Sequence, residues 1–265
     1  MKDSNITPLV QLKGFIGASL TFESEKIGKC MDFLIEEDSW IVRYIVARPG
    51  GWMSSERVIL SPLSIQDHRL DPSNTESIPL IITQQQLESA PGIEDYAPVS
   101  RIHEQAVSRY FNWPAYWTGP SAWGAAMIPS PEAFNQIEAA REEAEEKAHQ
   151  QDSNLRSFKE LLSYHIQTED DEKFGNINDA FIEADSWRLR AFSMDTSAWL
   201  PGREVALPAE TITDISWHQC HLRVDLAKAT VAEAPGLPED RQASVQDLVP
   251  LISYYENAQT LHTSH

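Results

Sequence analysis

Five polar residues early in this chain return late in it at the same spacing. Asp32, Glu36, Asp38, Ser39 and Arg43 are matched 147 positions on by Asp179, Glu183, Asp185, Ser186 and Arg190. Two carboxylates held together can divide into a general acid and a general base, the chemistry such a set would offer an enzyme. The same residue types also do simpler work. Asp and Ser bond the backbone of turns, and a strand arginine can pair with a carboxylate across a hairpin. These structural roles account for the set, and no catalytic residue is assigned.

His218, Cys220 and His221 put two imidazoles and a thiol within four residues, and these are zinc-ligand types. On a strand, His218 and Cys220 would share one face while His221 pointed away. No second cluster supplies further ligands, and the first copy has Asp67-His68-Arg69 in this region, without a cysteine. The stretch reads as a surface turn leading into the strand 222–226, with no metal. Gly-x-Ser-x-Gly, Gly-x-Gly-x-x-Gly and the Walker pattern do not occur. Gly14, Gly17 and Pro49-Gly50-Gly51 are turn material. No cofactor is expected, and the chain reads as a non-enzyme.

Residues 109–124 hold Tyr110, Phe111, Trp113, Tyr116, Trp117 and Trp123, broken by Pro114 and Pro120. Aromatic side chains of this kind give large contact area with a polar handle and suit a protein interface. Exposed at this density they would invite aggregation, which favours packing back onto the protein itself. The later copy answers with SYYENAQTLHTSH and has no tryptophan there. A partner docking on this segment would therefore find it on the first copy alone.

The scaffold positioning these residues is written twice. Residues 28–62, GKCMDFLIEEDSWIVRYIVARPGGWMSSERVILSP, align without a gap on 175–209, GNINDAFIEADSWRLRAFSMDTSAWLPGREVALPA. Gly28 meets Gly175, Trp40 meets Trp187, Trp52 meets Trp199, and Leu60 meets Leu207. At an offset of 144, Ala90-Pro91-Gly92-Ile93 meets Ala234-Pro235-Gly236-Leu237, and Tyr110-Phe111 meets Tyr254-Tyr255. Such self-similarity marks a tandem duplication. The expected division is a first unit over 1–128 with the aromatic-rich extension, a linker over 129–154, and a second unit over 155–265.

In the linker, Ser130 can cap a helix with Pro131 at its first position, and Glu143 and Lys147 are i,i+4 partners. Only Phe134 and Ile137 offer an apolar face, so an acidic helical spacer is expected. The front of each copy reads as a meander. Met31, Phe33 and Ile35 alternate with Asp32, Leu34 and Glu36 in one strand, Trp40, Val42, Tyr44 and Val46 line the next, and Val58-Ile59-Leu60 makes a third. Asp-Ser-Trp is then a hairpin turn plus the first residue of a strand, with Trp40 and Trp187 as hydrophobic anchors.

A strand with Gly-x-x-x-Asp, an acidic turn before Trp, an Arg-bearing strand, then Trp-x-x-x-x-x-Val-x-Leu resembles the PRC-barrel family, named from the photosynthetic reaction-centre H subunit. RLRAFSMDTSAWLPGREVALP is the nearer match. The first copy departs at Met53-Ser54-Ser55, where Leu200-Pro201-Gly202 stands in the second. The tails look like those of bacterial stand-alone members. The resemblance implies a mainly β fold of two small, strongly bent antiparallel barrels of about six strands each, filled by side chains, with short helical tails. It implies a scaffold or interaction module rather than a shared active site.

Charge narrows the partners. With 40 acidic and 21 basic residues the net charge is -19, which repels nucleic acid and anionic membrane surfaces. No apolar run approaches the roughly 20 residues of a membrane span, and MKDSNITPLVQLKGF does not read as a signal peptide. Cys30 and Cys220 make no disulfide framework, so a cytoplasmic protein is expected. The expected function is a non-enzymatic scaffold or adaptor for a protein partner. The two barrels are expected to pair internally by pseudo-twofold symmetry, and a homo-oligomer is left open. The alternatives are an RNA-processing or ribosome-assembly accessory factor and an accessory factor of a membrane photosynthetic or respiratory complex. Both come from the family resemblance.

Overall fold

The central strands of repeat one are covered on both faces, so they read as near-continuous apolar runs rather than strict alternation. The computed structural model describes residues 7–50, 56–93, 99–118, 121–124, 126–129, 153–168, 173–197, 200, 205–238 and 242–262. The expected linker helix from Ser130 to Lys147 and the Trp52/Trp199 match lie outside the described residues. Among the described residues, no helix is long and apolar enough to cross a membrane.

The fold is mainly β. Repeat one contributes β2 (Ser19–Phe22), β3 (Glu25–Glu36), β4 (Ile41–Pro49), β5 (Arg57–Leu60), β6 (Ser77–Pro79), α1 (Gln84–Glu88), β7 (Gly92–Ile93) and α2 (Arg101–Phe111), preceded by β1 (Leu9–Gln11). Repeat two contributes α3 (Phe158–Leu161), β9 (His165–Thr168), β10 (Lys173–Glu183), β11 (Leu189–Asp195), β12 (Val205–Pro208), β13 (Ile212–Ser216), β14 (His221–Val224), α4 (Lys228–Glu233) and α5 (Val245–His262), preceded by β8 (Leu155–Ser157).

Two compact units result, and they cut across the linear order. One comprises Gly14–Ser157 and Asp185–Arg188; the other comprises Met1–Lys13, Phe158–Ala184 and Leu189–His265. In the first, a seven-stranded sheet runs β6-β2-β3-β4-β5-β7 with β8 laid on β3. In the second, a seven-stranded sheet runs β12-β11-β10-β9-β14-β13 with β1 laid on β10. Neither sheet is wholly antiparallel, since β2 pairs in parallel with β6, and β9 with β14. The chain makes its parallel return after three intervening strands and two short 3-10 turns in repeat one, a crossover too long for a hairpin. Among the described residues, pairing closes neither sheet into a barrel.

The strand ahead of each repeat is thus donated to the other repeat's long strand. Leu9, Val10 and Gln11 register with Glu183, Ile182 and Phe181. Leu155, Arg156 and Ser157 register with Glu36, Ile35 and Leu34. The donors share a pattern at an offset of 146: Leu9-Val10-Gln11-Leu12-Lys13 against Leu155-Arg156-Ser157-Phe158-Lys159. Leu9, Val10, Leu12 and Phe158 are fully buried.

The repeated aspartates sit where these strands arrive. β3 bulges between Cys30 and Asp32, and β10 between Ile177 and Asp179, at matching positions. Just past each bulge, the next amide faces the edge where the donated strand arrives, and a buried amide there needs a partner. Asp32 Oδ1 takes the Phe33 N–H at 2.8 Å, and Asp179 Oδ1 takes the Ala180 N–H at 2.7 Å. The same carboxylates then hold the incoming segment, Asp32 Oδ2 by Ser157 Oγ at 2.5 Å and Asp179 Oδ1 by the Lys13 N–H at 2.9 Å. Gly28 and Gly175 recur because a Cβ there would meet the carbonyl oxygens of Arg48 and Asp195, at 2.6 and 2.2 Å.

Asp-Ser-Trp forms the hairpin turn, but the two tryptophans end it in the left-handed region, with φ of 55° at Trp40 and 63° at Trp187. The next strands begin only after them. An L-residue there costs roughly 1–2 kcal/mol, which burial of the ring can offset. Trp187 is fully buried in the unit built on repeat one, its Nε1 donating to His68 O at 2.8 Å. In that unit the Val42 N–H donates to Trp187 O at 2.9 Å, and Ile41 bridges Arg188, its own equivalent in the repeat. Trp40 remains partly exposed. Trp187→Ala should cost about 3–5 kcal/mol and Trp40→Ala less than half as much, as read from urea unfolding of the two variants.

Candidate interaction site

The repeated carboxylates do not assemble as an acid–base pair. Glu36 binds Arg43 through Oε2 at 2.5 Å, and Glu183 binds Arg190 through Oε1 at 2.5 Å, both across the hairpin. Ser39 Oγ also donates to Glu36 at 2.5 Å, and Asp38 accepts from Asn154 Nδ2 at 2.9 Å. Each set is a strut for its turn. Arg190 adds Glu210 at 3.3 Å, whereas Arg43 is overlaid by aromatic residues.

That overlay begins with α2. Ser100 caps it by accepting the His103 N–H at 3.2 Å, and Asn112, at φ 58°, closes its end with an N–H to Arg109 O and Ser108 O. Its inner face carries Arg101, Glu104, Gln105 and Val107, all buried. Glu104 is fully buried, with Arg101 Nη1 at 3.1 Å and the Tyr116 hydroxyl donating to Oε2 at 2.9 Å. Arg101 Nη1 also donates to that hydroxyl at 2.7 Å. Tyr44, on β4, packs edge-on against Tyr116 with ring centres 6.3 Å apart.

The aromatic segment folds onto this group. The Arg43 guanidinium lies 4.0 Å from the Tyr116 ring centre and 5.1 Å from that of Trp123, and it donates to Ala122 O. Arg101 lies 4.7 Å from the Trp117 ring. Phe111 stacks on Trp113 at 4.2 Å, and Trp123 Nε1 donates to Ser186 O at 3.1 Å. Of the six aromatics singled out in the sequence, Trp113, Tyr116 and Trp123 are buried, Phe111 and Trp117 are partly exposed, and Tyr110 is 40% exposed. A cavity of about 10 Å³ lies between Arg43, Tyr44, Trp113, Tyr116 and Trp123, the space of one water at most.

Burial pushes the Glu104 carboxyl above its ordinary value, against the pull of Arg101. Burial, then the charge of Glu104, pushes the Tyr44 and Tyr116 phenols well up, so both remain donors. Burial opposes the charge on Arg101, and Tyr116 and Glu104 more than offset it.

Repeat two has no such group. At the offset of 144, Ser100 meets Ser244, again at the start of a helix, but Arg101 meets Val245 and Glu104 meets Leu248. On the strand, Tyr44 meets Ala191. Reading the sequence alone passes over Arg101 and Glu104, because an i,i+3 Arg–Glu pair on a helix looks like solvated surface. The signal was present in the comparison of the copies, polar in one where the other is apolar.

His218 and Cys220 lie in the turn 217–220, with His218 exposed, while His221 starts β14 and is buried. Its ring centre is 5.5 Å from that of His165, whose imidazole is lowered by burial, then by Lys173 and His221. Among the described residues, no three His, Cys, Asp or Glu converge as metal ligands. No family model matches the chain, and no curated protein matches it.

Three outcomes follow from the buried pair. Arg101→Met leaves Glu104 without its guanidinium and should cost about 3–5 kcal/mol. Arg101→Val combined with Glu104→Leu, the pair used by repeat two, should cost far less than the two single changes together in a urea double-mutant cycle. The raised Glu104 carboxyl binds its proton more tightly when folded, so its contribution favours folding at low pH. That contribution is lost as pH rises from the ordinary carboxylate range through the raised value. Glu104→Gln should therefore gain stability relative to wild type across that window, in parallel unfolding titrations at stepped pH.

Proposed function

We propose that the protein is a non-enzymatic scaffold or adaptor built from two PRC-barrel-like repeats, and that it meets a protein partner on the aromatic flank of repeat one. The observation that carries this reading is the divergence of the copies. Repeat one keeps a buried Arg–Glu–Tyr group where repeat two has Val245, Leu248 and Ala191. A buried ionic group contributes little net stability over apolar packing, so local rules broken in one copy alone point to function. The group fixes the aromatic segment, and that in turn sets the outer face of α2. Ile102 is 54% exposed there, Tyr110 40%, and Ala106 lies between them at helical spacing. Aromatic and aliphatic side chains beside Arg109 suit the centre of a protein interface.

A strongly acidic protein favours a protein partner over nucleic acid. Cys30 and Cys220 are not joined in a disulfide, which fits a reducing cytoplasm. Reciprocal strand donation supports the duplication as an internal counterpart of a homodimer. Ile102→Glu with Ala106→Glu changes only exposed positions and should alter stability by no more than about 0.5 kcal/mol. In affinity capture from native extract, the wild type should retain a defined partner that this variant loses. Equal capture by both proteins, or no specific capture by the wild type, would sink the reading.

A further inference from the structure

We propose that the slot beside β10 is a strand-acceptor site, and that its second natural occupant is β1 of another copy of this chain, giving a strand-exchanged dimer. The slot reads an extended segment through backbone and buried anchors, as strand-addition sites do. The Ala184 N–H donates to Pro8 O at 3.0 Å, the Leu12 N–H to Ala180 O at 3.1 Å, and the Leu9 N–H to Ala243 O at 2.9 Å. The Val245 N–H donates to Thr7 O at 3.0 Å, and Gln242 Nε2 donates to Leu9 O. Lys13 closes the segment with its N–H on Asp179 and its Nζ on Asn178 Oδ1 at 2.7 Å. Leu9, Val10 and Leu12 are fully buried in the slot.

Every one of these bonds joins β1 to repeat two, although β1 leads directly into repeat one. The reverse donation holds as well, since β8 leads into repeat two and pairs with β3. Neither repeat is completed by the strand ahead of it. A protein with one such repeat could fill its slot only from a second molecule, and the duplication places that second molecule in the same chain. The slot does not discriminate between the two sources, because donor and acceptor residues are identical in cis and in trans. Only effective concentration chooses, about millimolar for a tethered segment. Two chains that trade β1 close on each other with twofold symmetry and leave no slot empty.

Paired cysteines test this on the full chain. Gln11 and Phe181 are register partners in a non-hydrogen-bonded pair, where Cβ atoms approach closely enough for a disulfide. In a Cys30→Ala, Cys220→Ser background, Gln11→Cys with Phe181→Cys in one chain should close an internal disulfide at low concentration. Leu9→Cys with Glu183→Cys, the neighbouring pair of the same kind, serves if the first impairs folding. Chains carrying only Gln11→Cys are then mixed with chains carrying only Phe181→Cys, unfolded together and refolded. From an equimolar mixture, the mixed disulfide dimer should rise with concentration, from about one chain in a hundred at ~10 μM to about a quarter at ~1 mM. A doubly substituted chain that closes internally, beside single variants that give no mixed dimer at ~1 mM above Gln11→Cys self-linking, overturns the proposal. Failure of both pairs to close internally overturns it as well.

Discussion

A carboxylate at a bulge is the constraint on which the two sheets depend. Asp32 and Asp179 each follow the bulge in the longest strand of their repeat, take the amide of the next residue, and offer the same carboxylate to a strand from elsewhere in the sequence. An unpaired buried amide would cost about as much as a lost hydrogen bond. An unpaired buried carboxylate would cost more. Each aspartate meets both demands in one place, so bulge, aspartate and donated strand stand together. This explains why the spacing from Gly28 to Asp32 repeats unchanged from Gly175 to Asp179. The glycine lets the opposite strand pass, and the aspartate four residues on receives the donor.

The second organising interaction belongs to repeat one alone. Both repeats carry the hairpin pair, Glu36 with Arg43 and Glu183 with Arg190. In repeat two the arginine stays partly open to solvent and reaches Glu210. In repeat one Tyr116 and Trp123 cover Arg43, Trp117 covers Arg101, and Glu104 is sealed beneath them. Cation–π contact and charge-assisted hydrogen bonds strengthen as water is excluded. The same exclusion makes each missing partner more costly, so the group stands or falls as a whole. The aromatic segment is therefore a covering layer with a purpose set by what lies beneath it.

The duplication, the meander and the hairpin struts were legible because each rests on local spacing. An offset can be read from one string of letters, and Glu36 lies on the strand that faces Arg43. The donor strands were not legible. Leu9–Gln11 and Leu155–Ser157 are too short to show a period, and their meaning lies in partners well over a hundred residues away. The parallel pairs of β2 with β6 and β9 with β14 are hidden too, because they join strands of three or four residues across more than fifty positions. Trp40 and Trp187 look equivalent in sequence, yet only Trp187 is fully buried, because its ring finds the His68 carbonyl. Arg101 and Glu104 were hidden by a sound rule about helix surfaces that fails once an aromatic layer covers them.

These two features also explain where the copies were free to part company. Residues that receive a donated strand cannot drift singly, because each change would leave both the amide just past the bulge and a donor group without partners. Residues in the hairpin strut are held by a charge on the neighbouring strand. The helix after the sheet carries neither burden. α2 and α5 both start after a serine and both lay one face on their own unit, but nothing in the ladder specifies what that face must be. Apolar residues suffice in α5. That α2 instead buries a charged pair, and recruits an aromatic segment to cover it, is a cost the sheet did not require. It marks this helix as the place where the copies differ most, which is the ground on which its outer face is proposed above to meet a partner.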